Sequence, residues 1–366
     1  MKKWMAAIVV LAGLNCLAAT TYETEGATLK ITVPAGETNA IDAAQIAGLL
    51  DNSVSDVRKL GSGGLIVNVD TRAYLGDIHI DEGTWRVVDS KGLGKMAADP
   101  AGGNTWALSK DNGVGQVTVA NGATLEAAPT VKDGVNSSGK IINFGGTGVN
   151  GIGALVWNTP FDQAAAFGVN LNMTDDALVH GLGEAVYAIN GQNVKLDMGT
   201  HTLTFRAESK VYPIVLCEIR TDVDSKATRA GNIVADGSTA LLLRNYEQIV
   251  SRNESFAFND AAHLDEQSVG GDLQRTIVWN STGTNNWTKP RWTPQYATPH
   301  NKWLGNVRLT NGKTMTTYGT IQLTGNVSGD GNLAFVGALP LANPTNCVML
   351  TGENTFPAAS RRRAST

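Results

Sequence analysis

A short phrase of β-favouring residues punctuated by glycine recurs along this chain, and it limits the possible folds more than any other feature. One form reads Gly-x-Gly-x-Leu-x-apolar, at Gly61, Gly63, Leu65 and Val67 and again at Gly329, Gly331, Leu333 and Phe335. A second form places two alternating apolar residues between glycines and a large apolar residue after them. It runs Gly76, Ile78, Ile80, Gly83, Trp85, then Gly115, Val117, Val119, Gly122, Leu125, with a looser copy at Gly231, Ile233, Gly237 and Leu241. The same strand–corner–strand pattern is carried by Val194, Leu196 and Met198, then Gly199, then Leu203 and Phe205.

Strand geometry gives the phrase its meaning. Alternation sends Ile78 and Ile80 to one face and His79 and Asp81 to the other. Glycine then permits a bend that residues with a Cβ resist, and a second short strand begins. A unit this small cannot bury its apolar face alone, so neighbouring units must stack into one continuous core. No heptad or long amphipathic helix competes with this pattern. The stretch that best suits a helix is Ala40 to Leu50, short and Ala-rich, which could cap the first layer. Longer connections or single strands are expected at Tyr212 to Arg220 and Ala240 to Val250. Asn285 to Trp303, rich in Pro, Trp and Asn, reads as an excursion from the repeat.

These phrases resemble the autotransporter-associated β-strand repeat of bacterial surface proteins. The best match is Lys59-Leu60-Gly61-Ser62-Gly63-Gly64-Leu65-Ile66-Val67, continuing through Tyr74-Leu75-Gly76-Asp77-Ile78-His79-Ile80 to Gly83-Thr84-Trp85. Trp85 stands where the repeat usually has Leu. Gly329-Asp330-Gly331-Asn332-Leu333 and Leu350-Thr351-Gly352-Glu353-Asn354-Thr355-Phe356 look like two further elements of it. The middle of the chain follows the repeat only in style. The resemblance implies an all-β, right-handed parallel β-helix with irregular loops, secretion, and a passenger or adhesin-like role. It brings no catalytic residues, because the repeat is structural.

The two ends carry different messages. Lys2 and Lys3 followed by the apolar run Trp4 to Leu14 read as an export signal covering residues 1–18, with cleavage after Ala18 (Ala19 is the alternative). The run falls well short of the roughly 20 residues that span a bilayer, so membrane insertion by this chain is not expected. Gly13-Leu14-Asn15-Cys16 is a poor lipoprotein signal. Residues 19–356 are expected to form one β-helical domain, leaving Cys217 and Cys347 as unpaired core residues. Residues 357–366, with Arg361-Arg362-Arg363, are expected to be a disordered basic tail. Two origins stand for it: a solvated natural tail, or a truncation or frameshift that interrupts the repeat, the latter favoured because the phrase stops midway.

Chemistry is sparse. Of the 366 residues only 17 % are charged and the formal net charge is -4, which gives no electrostatic reason to expect nucleic acid as a partner. Gly146-Thr147-Gly148-Val149-Asn150-Gly151 matches G-x-G-x-x-G, but the helix a dinucleotide site needs does not follow it, so a Gly-rich corner is expected. Gly92-Leu93-Gly94-Lys95 lacks the spacing of a phosphate loop. Two acidic pairs are acid–base candidates for polysaccharide cleavage, Asp81-Glu82 and Asp175-Asp176. The first closes a repeat as a polar turn; the second lies outside the clear repeats with His180 nearby and is the better candidate. Adjacent strand residues point to opposite faces, so that pair would converge only in a turn. His79, His180, His201, His263 and His300 show no metal-ligand spacing, and Asp330-Gly331-Asn332 is a single weak calcium-like turn. Trp287, Trp292, Tyr296 and Trp303 beside Lys289, Arg291 and Lys302 could stack on sugars, although packing against an open flank explains them better.

The sequence thus predicts a secreted or surface-exposed structural, adhesin-like protein with no catalytic residue, cofactor or metal assigned, whose ligand is an unidentified surface or glycan. The alternative is a polysaccharide-binding or polysaccharide-degrading β-helix.

Overall fold

The computed structural model describes residues 19–41, 53–71, 73–89, 92–93, 115–128, 140–158, 165–167, 171–182, 187–189, 196–208, 214–217, 231–243, 255–266, 271–273, 276–286, 301–303, 305–318, 321–336, 348–355 and 358–362. They form an essentially all-β protein built on a long, mostly parallel sheet. One 3-10 turn, Val149–Gly151, is the only helical element among the described residues. The helix expected over Ala40 to Leu50 falls mostly outside these residues; Ala40 itself ends the strand Thr38–Ala40. The signal segment, Cys347 and most of the Trp-rich excursion also lie outside them.

The repeated phrase produces the expected alternation. Gly64–Val67, Asp77–Ile80 and Thr84–Val87 each bury every second residue, so Leu65, Val67, Ile78, Ile80, Trp85 and Val87 point inward. Each strand then pairs in parallel with the corresponding strand of a later phrase. One column runs Thr28–Thr32, Asp56–Leu60, Asp77–Ile80, Val117–Val119, Ile142–Gly146 and the start of Leu171–Gly181. A second runs Thr38–Ala40, Gly64–Val67, Thr84–Val87, Thr124–Ala127 and Leu155–Trp157 to the end of Leu171–Gly181. That eleven-residue strand therefore serves both columns, with its exposed residues 174–176 between its two pairing segments. The second column continues through Leu203–Ala207, Ile233–Gly237, Ser255–Asp260, Thr276–Ser281, Val307–Leu309 and Val327–Gly329 to Asn354–Thr355.

Downstream, two further parallel sheets accompany this column. One contains seven strands from Ile214–Cys217 to Ala358–Arg362, the other four from Gly271–Leu273 to Val348–Leu350. Tyr212 to Arg220, Ala240 to Val250 and the edges of the Trp-rich excursion each contribute a strand to them, at Ile214–Cys217, Ala240–Leu243, Thr284–Asn286 and Asn301–Trp303. The basic tail departs from expectation: Ala358–Arg362 is a strand paired in parallel with Asn332–Val336, so these residues are ordered by backbone pairing despite their charge.

Register stacks identical positions, and this builds the core. Leu65, Trp85, Leu125, Leu155, Val179, Phe205, Ala235, Phe258, Trp279 and Leu309 follow one another as direct partners, all buried. Large residues meet small ones where rings need room. Trp157 is partnered by Gly181, where a Cβ would come within 2.0 Å of the indole. Gly83, at φ 67, makes the corner between Asp77–Ile80 and Thr84–Val87 beneath the carbonyl of Gly63. At the start, the antiparallel strand Thr21–Glu25 covers one edge of Thr28–Thr32. Such a reversed strand blunts an edge that would otherwise template further pairing.

Candidate functional site

Polar side chains gather at three places: the exposed corner of the eleven-residue strand, the outer face of the second column, and the interior of the first layers. The corner holds the better of the two acidic pairs. Asp175 and Asp176 lie exposed within the strand, between its two pairing segments and beside the irregularity where its register against Ile142–Gly146 shifts. Carboxylate oxygens of both lie within 4.8 Å of a ring nitrogen of His201. The histidine that joins them is His201, not His180, which the chain places nearby. His180 is buried one strand register beyond, its Nδ1 at 2.7 Å from the carbonyl of Ile152 and its Nε2 at 3.2 Å from Glu208. No signal in the sequence spacing pointed to His201, because a full strand-to-strand connection separates it from the aspartates.

The carboxylates at this corner are engaged locally. Asp176 accepts the Thr202 N–H at 2.7 Å, Asp175 accepts the Asp176 N–H at 2.8 Å, and Asn121 donates to Asp175 at 3.3 Å. The Thr202 and Asn121 bonds tie separate layers together, as a polar corner between stacked strands requires, while the Asp176 N–H bond is local. Chemically the three groups could hold a cation or pass a proton.

The other candidates resolve into structural roles. Asp81 of the first acidic pair forks onto Arg58 at 2.8 and 3.0 Å, and that carboxylate holds the guanidinium above its ordinary range. Its neighbour Glu82 accepts the Gly61 N–H at 3.1 Å. His79 shares the outer face with Arg58 and lies 3.3 Å from Asp56. The G-x-G-x-x-G segment is a tight corner: Val149–Gly151 makes one turn, and buried Thr124 accepts the Val149 N–H and donates to the Gly153 carbonyl. The strand Leu155–Trp157 follows it where a dinucleotide site would need a helix N-terminus for the pyrophosphate. Asp330 and Gly331 lie between Val327–Gly329 and Asn332–Val336, and the Asp330 N–H donates to the Leu309 carbonyl.

The outer face of the second column carries a ladder that the sequence did not announce. Arg206 donates to Asp236, Asn259 to Asp236 at 2.8 Å, Asn280 to Asn259 at 3.1 Å and Asn311 to Asn280 at 2.8 Å. A second set recurs at the corners before strands. Asn232, Asn306 and Asn326 each accept a backbone N–H from the following layer, at Ser255, Asn326 and Glu353. The signal was available as Gly231-Asn232-Ile233, Gly305-Asn306-Val307 and Gly325-Asn326-Val327.

Two lysines and a glutamate are buried in the upstream layers. Glu126 is held by Arg86 at 2.8 Å and Asn158 at 3.0 Å. Lys59 and Lys140 face backbone carbonyls, and burial lowers each ammonium to about 8. Burial likewise raises the Tyr74 phenol, whose hydroxyl donates to the Asp77 carbonyl.

No protein-family model, curated protein or solved structure matches the chain. Among the described residues no helix is long and apolar enough to cross a membrane.

Proposed function

We propose that this chain is an exported, surface-exposed structural protein of adhesin-like character, folded as a right-handed parallel β-helix similar to autotransporter passengers and working without catalysis. The observation that supports it best is the in-register stacking of one phrase after another, with core columns inside and polar ladders outside. A fold of this kind spends its residues on rigidity and on an extended polar surface rather than on one concave pocket. Its outward partner is a surface or glycan ligand, and nothing in the charge pattern favours nucleic acid.

The test is expression of the full chain in a Gram-negative bacterium, followed by fractionation and amino-terminal sequencing. Export with a new terminus at Ala19, after cleavage behind Ala18, is the expected result. Retention in the cytoplasm with Met1 intact overturns the exported role. An experimental structure tests handedness directly, and a left-handed path sinks the β-helix assignment as stated.

A second reading, a β-helix that binds or cleaves polysaccharide, has one observation in its favour: the Asp175, Asp176 and His201 group at an exposed corner. Release of oligosaccharides from acidic or neutral polysaccharides, abolished by Asp175→Asn or Asp176→Asn, would replace the structural reading with this one.

A further inference from the structure

The second column runs unbroken from Thr38–Ala40 to Asn354–Thr355, and exposed residues stand at both of its ends: Thr38 and Ala40 in the first strand, Asn354 and Thr355 in the last. At the start, the reversed strand Thr21–Glu25 lies against Thr28–Thr32, with Thr21, Glu23, Thr24 and Glu25 exposed. At the far end, the last described strand of each sheet is paired on one side among the described residues. Asn354–Thr355 lies on Val327–Gly329, Ala358–Arg362 on Asn332–Val336 and Val348–Leu350 on Ile321–Leu323.

A strand paired on one side offers a row of backbone N–H and C=O groups that a further strand can take up. Charge decides which strand. Residues 19–40 hold Glu23, Glu25 and Glu37 against Lys30, a formal charge of -2, and Lys30 is itself paired with Glu25. Residues 353–366 hold Arg361, Arg362 and Arg363 against Glu353, a formal charge of +2. Start against start and end against end therefore repel, while start against end attracts. A start-to-end contact is heterologous: it joins two different surfaces, so each added copy presents the same end again.

We propose that this chain assembles end to end with further copies of itself, the basic layer at Asn354–Thr355 and Ala358–Arg362 of one copy docking on the acidic edge at Thr21–Glu25 and Thr38–Ala40 of the next. The second column then continues from copy to copy, and backbone pairing supplies the affinity. Arginine–glutamate pairs between adjoining strands fix the polarity, because opposite charges across a strand pair stabilise it and like charges do the reverse. The product is an open series of copies rather than a closed dimer.

The experiment is sedimentation velocity of the full chain over a concentration series, in low salt and at about 1 M salt, where charges are screened. Species larger than a dimer that grow with concentration in low salt and shrink in high salt are the expected result. Glu23→Lys with Glu25→Lys makes both ends basic, and Arg361→Glu with Arg362→Glu and Arg363→Glu makes both ends acidic. Each variant alone should associate at least about tenfold more weakly, and an equimolar mixture of the two should recover the original sizes, since every end then meets its opposite. Circular dichroism shows whether each variant keeps its β-structure. A chain that stays monomeric at every concentration in low salt overturns the proposal, as does association that stops at a dimer; both are read on the unaltered chain, even if a variant fails to fold. Association that both folded variants retain overturns it too, by placing the contact elsewhere, and so does a mixture of folded variants that recovers nothing.

Discussion

Residues 117–125 and 307–315 read almost alike, Val-Thr-Val-Ala-Asn-Gly-Ala-Thr-Leu against Val-Arg-Leu-Thr-Asn-Gly-Lys-Thr-Met. Both make a strand, a turn closed by one backbone bond (Ala123 to Ala120, Lys313 to Thr310) and a second strand. Upstream, both strands join the same long sheet. Downstream, Val307–Leu309 joins that sheet while Thr314–Tyr318 joins a separate seven-stranded one. The phrase determines what is buried within a strand but not which column the strand enters. The change comes at Leu171–Gly181, which receives both upstream columns; among the described residues the first ends at Leu196–Asp197 while the second continues through Leu203–Ala207. The balance of polar chemistry shifts across the same strand. Upstream layers hold the buried lysines and the Arg58–Asp81 and Arg86–Glu126 pairs beside a short amide run from Asn172 through Asn143 to Gln116. Downstream, the Arg206–Asp236 pair opens a longer amide ladder, and corner hydroxyls such as Thr239 on the Asp236 carbonyl and Ser281 on the Ala262 carbonyl match that of Thr124 upstream.

The most forceful way to break the comparison is to remove a ring from each region. Trp279 is fully buried, its ring centre 5.3 Å from that of Phe258, and Trp85 fills the equivalent register position upstream. Trp279→Ala and Trp85→Ala are each expected to cost about 3–5 kcal/mol in urea unfolding. If the regions unfold as one cooperative unit, both variants lower a single transition. Two transitions, each moved by only one variant, would show that the eleven-residue strand divides the stack into separately unfolding parts.

Next in size is the junction itself. Gly181→Ala drives a methyl group to within 2.0 Å of the Trp157 indole, and the neighbours are a fully packed column. Overpacking of this kind costs about 1–3 kcal/mol. Trp157→Leu in the same chain should recover part of that loss. Equal losses with and without the indole would show that backbone strain, not the ring, is responsible. Thr124→Val belongs to the same range: it strips a partner from the Val149 N–H and the buried Gly153 carbonyl, for about 1–3 kcal/mol.

Much of this was legible, and the omissions have physical causes. Alternation at Gly64–Val67, Asp77–Ile80 and Thr84–Val87 follows from the two-residue period alone, so inward and outward residues could be read directly. The G-x-G-x-x-G corner was also legible, because the residues after Gly151 cannot make the required helix. Column membership was not, since parallel pairing is a contact between distant segments and the same phrase supports either choice. His201 joined Asp176 for the same reason. Lys59 sits in the repeat phrase, but nothing local reveals that its stem replaces an aliphatic residue between Ile31 and Ile80. The strand at Ala358–Arg362 defied its charge because stacking supplies backbone partners whatever the side chains are.

The smallest effects separate the two polar chemistries. Upstream, Arg86 is 41 % exposed while Glu126 is 4 % exposed, so Arg86→Ala leaves a buried carboxylate held by the Asn158 amide. A loss of about 2 kcal/mol is expected, as for a charged acceptor deprived of its donor. Downstream, Asn280→Ala removes the neutral amide rungs to Asn259 and Asn311 from the far end of the ladder, and about 1 kcal/mol is expected. Salt sharpens the difference, because screening acts on charges and not on amides. Raising the salt concentration toward 1 M should shrink the Arg86→Ala loss and leave the Asn280→Ala loss unchanged. If both losses respond alike, the two regions do not differ in the chemistry that ties their layers together, and the contrast drawn at Leu171–Gly181 reduces to one of strand pairing.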